Sequence, residues 1–258
     1  IVFFFSSHPL STPPDPFFFL MIRGPPRSTL DRSSAASDVY KRQGSAGGKV
    51  IYTTDEGASW QTLHDFAHPV FTVAIDPNNA NRLYAAVVNH TQNAGGLWVS
   101  QNINAGAGST WTQLTAPGRT EGHPHSIVIL NDGTLVCTYT GRRNSSGVFT
   151  ASSGVFIYNP GLQVWSDKSD VGMFYWTRHL TIDPTDVNQN TWFVSVFSGW
   201  GGAPNGKGGL YKTTDRGNTW TKINNLDRVA SCTFNPANQD QVFITTEGDG
   251  LWLSLIHI

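Results

Sequence analysis

Acidic side chains that could carry out acid–base chemistry lie in polar segments between apolar, strand-like runs. They are Glu121, Asp227, Glu247 and Asp249. Hydrolysis of a glycosidic bond needs two carboxyl groups, about 5–10 Å apart depending on the stereochemistry. None of the four lies in a motif that pairs it with a second carboxyl group. The sequence therefore leaves the catalytic residues unknown and offers these four as candidates.

Basic and aromatic side chains in the same kind of segment could bind a ligand. The candidates are Arg119, His123, His125, Arg142, Tyr175, Trp176, Arg178 and Trp200. Aromatic rings can stack on sugar rings, while Arg and His can bind hydroxyl or carboxylate groups. Two alternatives stay open, because Trp176 could instead seal a junction between structural units and Arg142 could lie in an exposed loop. His123 and His125 have a spacing that suits a metal, but no third ligand is evident. We therefore predict no metal site and no cofactor.

The two ends of the chain read differently from its middle. Ser37–Gln43 can be encoded by a DNA sequence whose complementary strand encodes Leu253–Ile258. That DNA resembles the transposase recognition end of tagmentation sequencing libraries, and Met21–Thr29 resembles a flow-cell adapter. We predict that residues 1–43 and 253–258 are non-native, that 1–43 are disordered, and that the native protein lies within 44–252. On this hypothesis the native N-terminus is missing, so no leader peptide can be sought.

The charge balance of the middle segment argues against two classes of partner. Of the 17 basic and 18 acidic residues in the chain, five and three lie in the flanks, which leaves 12 basic and 15 acidic residues. No basic stripe suggests nucleic acid, and no apolar run reaches the length that crosses a membrane. We predict neither partner. Cys137 and Cys232 lie in apolar runs, so buried free thiols are the favoured interpretation.

Internal repetition with a period of roughly fifty residues is the strongest signal in the sequence. Four tryptophans recur at spacings of 51, 54 and 55 residues: Trp60, Trp111, Trp165 and Trp220. Each period accommodates four short strands. Those predicted for three full units are near 71–75, 82–88, 96–100, 109–114, 125–130, 134–140, 154–158, 162–166, 177–182, 191–197, 209–213 and 218–223. Partial units fall at 49–63 and 229–252.

Four antiparallel strands in each period are typical of a β-propeller blade. We therefore predict an all-β fold, a β-propeller fragment of about four four-stranded antiparallel blades in an open arc. Because such a ring is not closed, we expect unpaired strand edges and apolar surface at its two ends.

Two segments repeat one pattern, Ser/Thr-x-Asp-x-Gly-x-Ser/Thr-Trp, in phase with the strands. Its residues are Thr53, Asp55, Gly57, Trp60, Thr213, Asp215, Gly217 and Trp220. A short Asp side chain can accept backbone N–H bonds and hold a tight turn, and Gly adopts conformations that a Cβ penalises. The Trp then fills space between neighbouring blades. We predict that all these residues are structural.

The pattern resembles the Asp-box, or BNR repeat, of sialidase-like propellers, and the Asp76-Pro77 and Asp183-Pro184 blade entries resemble those of the xyloglucanase-like group. The resemblance implies a fragment of a secreted or cell-envelope propeller, glycoside-hydrolase-like and acting on polysaccharide, whose catalytic residues can lie outside the fragment. The alternative is a non-catalytic propeller that binds a glycan or an extracellular protein, as sortilin-like receptors and photosystem assembly factors do. The Arg-Ile-Pro segment of sialidases does not occur.

Strand order assigns the loops to two faces of the arc. The Asp-containing turns lie on one face. Loops between blades, and loops joining the second and third strands of a blade, lie on the other face, which we call the loop face. All the acidic and ligand-binding candidates fall on the loop face, so we predict that a ligand binds there.

Overall fold

The regular secondary structure of the described residues is almost entirely β-strand. The computed structural model describes residues 41–89, 95–141, 146, 150–174, 176–198 and 208–255. Within these ranges two short 3-10 helices, Ile103–Gly108 and Val171–Phe174, interrupt the strands and loops. No helix in the same ranges is long and apolar enough to cross a bilayer.

Five antiparallel sheets follow one another along the chain in an open arc, and we number them blades 1 to 5. Blade 1 contains β1 (Lys41–Gly44), β2 (Lys49–Thr53) and β3 (Gln61–Asp65). Blade 2 contains β4 (Val70–Asp76), β5 (Asn79–Val87), β6 (Gly96–Ser100) and β7 (Thr112–Gln113). Blade 3 contains β8 (Pro124–Ile129), β9 (Leu135–Tyr139), β10 (Gly154–Asn159) and β11 (Val164–Asp167). Blade 4 contains β12 (Trp176–Ile182), β13 (Trp192–Phe197), β14 (Gly209–Thr213) and β15 (Thr221–Lys222). Blade 5 contains β16 (Val229–Asn235), β17 (Asn238–Thr246) and β18 (Gly250–Leu255). The all-β propeller fragment predicted from the repeat is confirmed, with three four-stranded blades between two three-stranded ones in the described part of the chain.

The first strand of each complete blade lies innermost in the arc. Strand β4 contacts β8, β8 contacts β12, and β12 contacts β16, and each sheet runs outward from there in chain order. The end blades differ. In blade 1, β1 occupies the place of a second strand, because it pairs with β2 and contacts β4 as β13 contacts β16. Blade 5 ends on β18, the equivalent of a third strand.

The hydrophobic core lies between blades, because each internal sheet is covered on both faces. In β5, Tyr84 and Ala86 pack towards blade 3, whereas Leu83, Ala85 and Val87 pack towards blade 1. Successive side chains of a strand point to opposite faces, so a strand with neighbours on both sides is apolar without alternation. The same reason explains why every residue of β13 is buried.

Two hairpins that join third and fourth strands share one hydrogen-bond pattern. In blade 1, Thr53 Oγ1 donates to Asp55 Oδ1 (2.5 Å) and accepts from the Gly57 amide (3.0 Å). Asp55 also accepts from the amide and the hydroxyl of Ser59, at 2.9 and 2.5 Å. The hydroxyl bonds of Ser59 and Thr53 hold the pKa of Asp55 well below its usual range. The carboxylate therefore organises the turn, as predicted.

The second hairpin repeats these contacts in blade 4. Asp215 accepts from the amide and hydroxyl of Thr219 at 2.9 and 2.7 Å and from Thr213 Oγ1 at 2.7 Å. These bonds, that of the Thr219 hydroxyl first, lower the pKa of Asp215 to about 2. Gly217 has a φ of 79°, and a Cβ there would lie 3.0 Å from the Lys168 side chain. Glycine is therefore required both by the backbone conformation and by the neighbouring blade.

In blades 3 and 4, the tryptophan at the start of the fourth strand fastens its blade to the preceding one. Trp220 Nε1 donates to the Lys168 carbonyl, just past the outer strand of blade 3, at 2.6 Å. Trp165 Nε1 makes the same bond to the Thr115 carbonyl of blade 2, also at 2.6 Å. Trp60 lies in blade 1, which has no preceding blade among the described residues, and it is 37% exposed. The predicted packing of Trp between blades is thus confirmed where the structure describes a preceding blade.

Strand bounds differ from the prediction mainly at the periphery. The fourth strands of blades 2 and 4 shorten to two residues each, Thr112–Gln113 and Thr221–Lys222, because the hairpin turn holds the residues before them.

At the ends, Lys41–Gln43 and Leu253–Leu255 form strand, although both segments belong to the predicted flanks and disorder was expected up to Gln43. Strand pairing uses the backbone, so any non-proline residue can extend a sheet edge. The non-native origin of both flanks stays a prediction, and residues 1–40 and 256–258 lie outside the described ranges.

The two hairpin tryptophans give a matched test of the inter-blade bond. We expect Trp220→Phe to lower the free energy of unfolding by about 1–2 kcal/mol, because the Lys168 carbonyl loses its donor. Trp60→Phe should change it by less than about 0.5 kcal/mol. Urea unfolding of both variants measures the difference, and equal losses would contradict the role given to Trp220.

Candidate functional site

A β-bulge recurs at the same place in every inner strand. Near its start on the loop face, each inner strand has a register shift against the second strand that adds one residue to the inner strand. The bulged residues are Phe71, His125, the pair Arg178 and His179, and Ala230. We call these five residues the mouth. Bulges re-aim a side chain and are frequent beside functional sites.

Hydroxyl groups tie three of the five mouth residues to the blade before them. Thr72 Oγ1 of blade 2 donates to the His125 carbonyl of blade 3 at 2.6 Å. Thr138 Oγ1 of blade 3 donates to the Arg178 carbonyl of blade 4. Ser195 Oγ of blade 4 donates to the Ala230 carbonyl of blade 5 at 3.1 Å. The bulges therefore occupy equivalent positions on successive blades.

The residues of the mouth are more exposed, backbone included, than those that precede them. All five are half-buried, whereas Val70, Pro124, Thr177 and Val229, which precede the bulges, are buried. The Phe71 and His125 rings meet edge to face with centroids 5.1 Å apart, which brings two neighbouring blades into contact. The mouth thus gathers half-buried residues from four blades at the inner edge of the loop face.

An ion pair closes one side of the mouth. Arg178 Nη1 lies 2.7 Å from Glu247 Oε1, and the two side chains are 15% and 23% exposed. The guanidinium lies 3.9 Å from the centroid of Phe197, and Phe197 stacks on Trp176 with ring planes 13° apart. Stacking and the ion pair together fix the guanidinium. Trp176 therefore helps to hold Arg178.

The two imidazoles of the mouth are uncharged at neutral pH. Burial lowers the pKa of His125 to about 3, and the nearby Arg178 and His179 act in the same direction. Burial lowers the pKa of His179 to about 4. A neutral imidazole has one donor and one acceptor nitrogen. The mouth therefore presents neutral hydrogen-bonding groups beside an aromatic ring.

Arg119 lies away from the mouth and joins blades 2 and 3. Its guanidinium bonds Asp167 (2.6 Å), the Ala151 and Ser153 carbonyls (2.6 and 2.7 Å) and Ser169 Oγ (2.7 Å). These bonds account for its position without a ligand. A cleft of about 300 Å³ beside it is lined by Pro117, Gly118, Arg119, Phe156, Trp165 and Asp167.

The four acidic candidates occupy different environments. Glu247 pairs with Arg178 as described. Asp227 is buried and its Oδ1 accepts from the Gly208 amide at 3.1 Å, which anchors a loop. Glu121 is half-buried, and Asp249 is exposed two residues after Glu247. Glu247 thus contacts the mouth residue Arg178.

The remaining sequence candidates divide into buried residues and residues beyond the described ranges. His123 is fully buried, whereas His125 reaches the mouth, so the two imidazoles of His-Pro-His do not converge. The described ranges contain no group of three potential metal ligands. Cys137 and Cys232 are buried free thiols, as predicted, and burial raises the pKa of both. Arg142, Tyr175 and Trp200 lie outside the described residues.

Sequence reasoning placed His179 on the loop face, but it did not connect Phe71 with a site, nor Glu247 with Arg178. One signal was available, because a Ser or Thr follows the bulged residue in three of the four repeats: Thr72, Ser126 and Ser231. The Arg178–Glu247 pair spans 69 residues, and no local pattern indicates it.

Comparison with known proteins supports the fold. No protein-family model and no curated protein matches the chain. Among solved structures, a GH74 xyloglucanase from Xanthomonas campestris matches with a TM-score of 0.64 and 16% identity, over 86% of this chain and 36% of the enzyme. A GH74 enzyme from Niastella koreensis matches with a TM-score of 0.65 and 18% identity, over 86% and 35%. YCF48 bound to D1 peptide matches with a TM-score of 0.52 and 15% identity, over 89% and 66%.

These likenesses show a propeller fold that both enzymes and non-enzymatic proteins use. The chain spans about a third of the length of the two GH74 enzymes. At such identities the resemblance carries the architecture and leaves the activity to be argued from the site.

The role of Arg119 can be tested by replacing its guanidinium, which donates several directed hydrogen bonds. We expect Arg119→Lys to lower the free energy of unfolding by about 1–3 kcal/mol, because a lysine cannot reproduce several directed bonds. Arg216→Lys is the matched control, since Arg216 makes a surface ion pair with Asp132 at 2.8 Å, and we expect a loss below about 0.5 kcal/mol. Chemical unfolding measures both. An unchanged stability of Arg119→Lys would show that the guanidinium is not a structural link.

The buried imidazoles predict a pH dependence of stability. The pKa of an ordinary His is 6.5 and those of His125 and His179 are about 3 and 4, so the unfolded chain binds more protons between these limits. The free energy of unfolding should therefore fall as pH falls from 6.5 towards 4. Urea unfolding at several pH values gives the slope of the free energy of unfolding against pH. This slope should be smaller for the His125→Gln, His179→Gln double variant than for the unsubstituted chain. An unchanged slope would mean that neither imidazole is held neutral.

Proposed function

We propose that the mouth is a carbohydrate-binding site, in a propeller that acts on or recognises a polysaccharide. The observation that carries the proposal is the repeated bulge, which brings Phe71, His125 and Arg178 from three blades to one edge of the loop face. Binding sites commonly form where side chains from several parts of a rigid scaffold converge.

The chemistry of the mouth suits a neutral, hydroxyl-rich ligand. The Phe71 ring offers an apolar surface for the C–H face of a sugar, and His125 and His179 offer uncharged donors and acceptors. Arg178 is already paired with Glu247, so its charge is balanced within the protein. A sugar hydroxyl can both donate and accept, which matches this mixture of groups.

We further propose that the chain belongs to the Asp-box propellers, nearest to the xyloglucanase-like group, and that its parent is secreted or attached to the cell envelope. The two Asp hairpins with matching hydrogen bonds and the fold of the GH74 enzymes support this proposal. The hairpin carboxylates remain structural in it, because Asp55 and Asp215 are engaged by their own turns.

Hydrolysis and protein binding are the competing functions. Glycoside hydrolysis needs two suitably spaced carboxyl groups, and Glu247 is the acidic candidate that the described residues bring to the mouth. A peptide ligand is the other alternative, since one structural neighbour is YCF48 bound to D1 peptide.

Calorimetric titration of the 258-residue chain with cellotetraose, a linear β-glucan fragment, tests the proposal. We expect saturable binding that Phe71→Ala weakens about tenfold, equivalent to about 1.4 kcal/mol. Trp60→Ala is the matched control, because Trp60 is an exposed aromatic at the end of the arc, and its affinity should equal that of the unsubstituted chain. Absence of binding, or equal weakening by both substitutions, would overturn the proposal.

The same mixtures separate binding from hydrolysis. Release of shorter sugars during incubation would assign the chain a glycosidase activity, and Glu247→Gln should then abolish it. Intact cellotetraose after prolonged incubation, with saturable binding, is the result that a recognition site predicts.

A further inference from the structure

Glu247 has one carboxylate oxygen engaged and one without a donor. Oε1 accepts from Arg178 Nη1 at 2.7 Å. Oε2 is buried and receives no hydrogen bond from the residues that the structure describes. A buried carboxylate oxygen that lacks a donor is unfavourable, and such an atom in a native fold calls for an explanation.

The position of Glu247 connects this oxygen with the mouth. Glu247 follows β17, and its amide donates to the Arg228 carbonyl at 3.1 Å, just before β16 begins. Its side chain crosses from blade 5 to blade 4 to reach Arg178. The carboxylate therefore lies beside the bulged residues, where a ligand in the mouth would meet it.

We infer that Glu247 Oε2 is a specificity-determining acceptor, which takes a hydrogen bond from one hydroxyl group of a sugar bound in the mouth. The inference rests on the proposed carbohydrate-binding function and adds to it the residue and the atom that select a hydroxyl donor. Arg178 holds the carboxylate in position through Oε1 and leaves Oε2 for the ligand.

The loop that carries Glu247 can make the small movement that uncovers Oε2. Gly248 and Gly250 flank Asp249 with φ values of 115° and 79°, and a Cβ at either position would have no described atom within 4 Å beyond its chain neighbours. Glycines without surrounding contacts allow a turn to rearrange at low cost. A sugar hydroxyl that reaches the carboxylate would replace the lost solvation of Oε2 by a charge-assisted bond.

Glutamine at position 247 keeps the shape of the side chain, replaces Oε2 and removes the charge that pairs with Arg178. In Glu247→Gln the side-chain oxygen can still accept from Arg178, and the NH2 group then replaces Oε2 with a donor. We expect the affinity for cellotetraose to fall at least tenfold. Asp249→Asn removes the same charge from the same loop and should leave the affinity unchanged.

A double-mutant cycle distinguishes a ligand contact from a structural effect. Calorimetric titration of the 258-residue chain with a panel of monodeoxy cellotetraoses should find one position whose deoxygenation weakens binding to the unsubstituted chain about tenfold. The same deoxygenation should not weaken binding to Glu247→Gln further. Thermal unfolding of each variant confirms that it remains folded.

The outcomes separate the two proposals. If the unsubstituted chain does not bind cellotetraose, the proposed function fails and this inference fails with it. If the chain binds cellotetraose, but Glu247→Gln binds equally well or stays sensitive to every deoxygenation, the function stands and Glu247 is not the acceptor.

Discussion

The arrangement of the blades and their bulged inner strands depends on one interaction. It is the hydrogen bond from a hydroxyl of one blade to the inner strand of the next blade. Thr72, Thr138 and Ser195 each reach forward to the carbonyl of a bulged residue. A bulge interrupts the regular ladder and would otherwise leave its carbonyl without a partner. The hydroxyl supplies that partner from the neighbouring blade. The same bond therefore stabilises the bulge and fixes the position of one blade relative to the next.

The periphery of the arc solves a related problem with different groups. Inner strands approach closely and need only a hydroxyl, whereas outer strands diverge and need a larger side chain to bridge the gap. Trp165 and Trp220 fill that gap and each donates an indole N–H to a carbonyl of the preceding blade. The turns that precede these tryptophans aim them, and in blade 4 the Asp215 hairpin does so. Small hydroxyls near the axis and large indoles at the rim thus fit the wedge shape of a blade.

The sequence predicted the architecture because its determinants are local and repeated. The Trp spacing and the turn motifs define blades, and the bounds of Gly96–Ser100 and Gly209–Thr213 were predicted without error. The site was predicted only in part. His125 and Arg178 could be assigned to the loop face from strand order, but whether a loop residue points to solvent or to a neighbour is a tertiary property. Arg119 and Asp227 therefore looked like ligand or catalytic residues, although the structure gives them partners within the fold. The pairing of Arg178 with Glu247 depends on contact between two blades, which no pattern along the chain specifies.

A crystal structure of the chain with cellotetraose would show whether the bulged inner strands create the proposed ligand site. We expect sugar density at the inner edge of the loop face, in contact with Phe71 and His125 and within hydrogen-bonding distance of Glu247. Density in the cleft beside Arg119, or on the opposite face among the Asp55 and Asp215 hairpins, would contradict it.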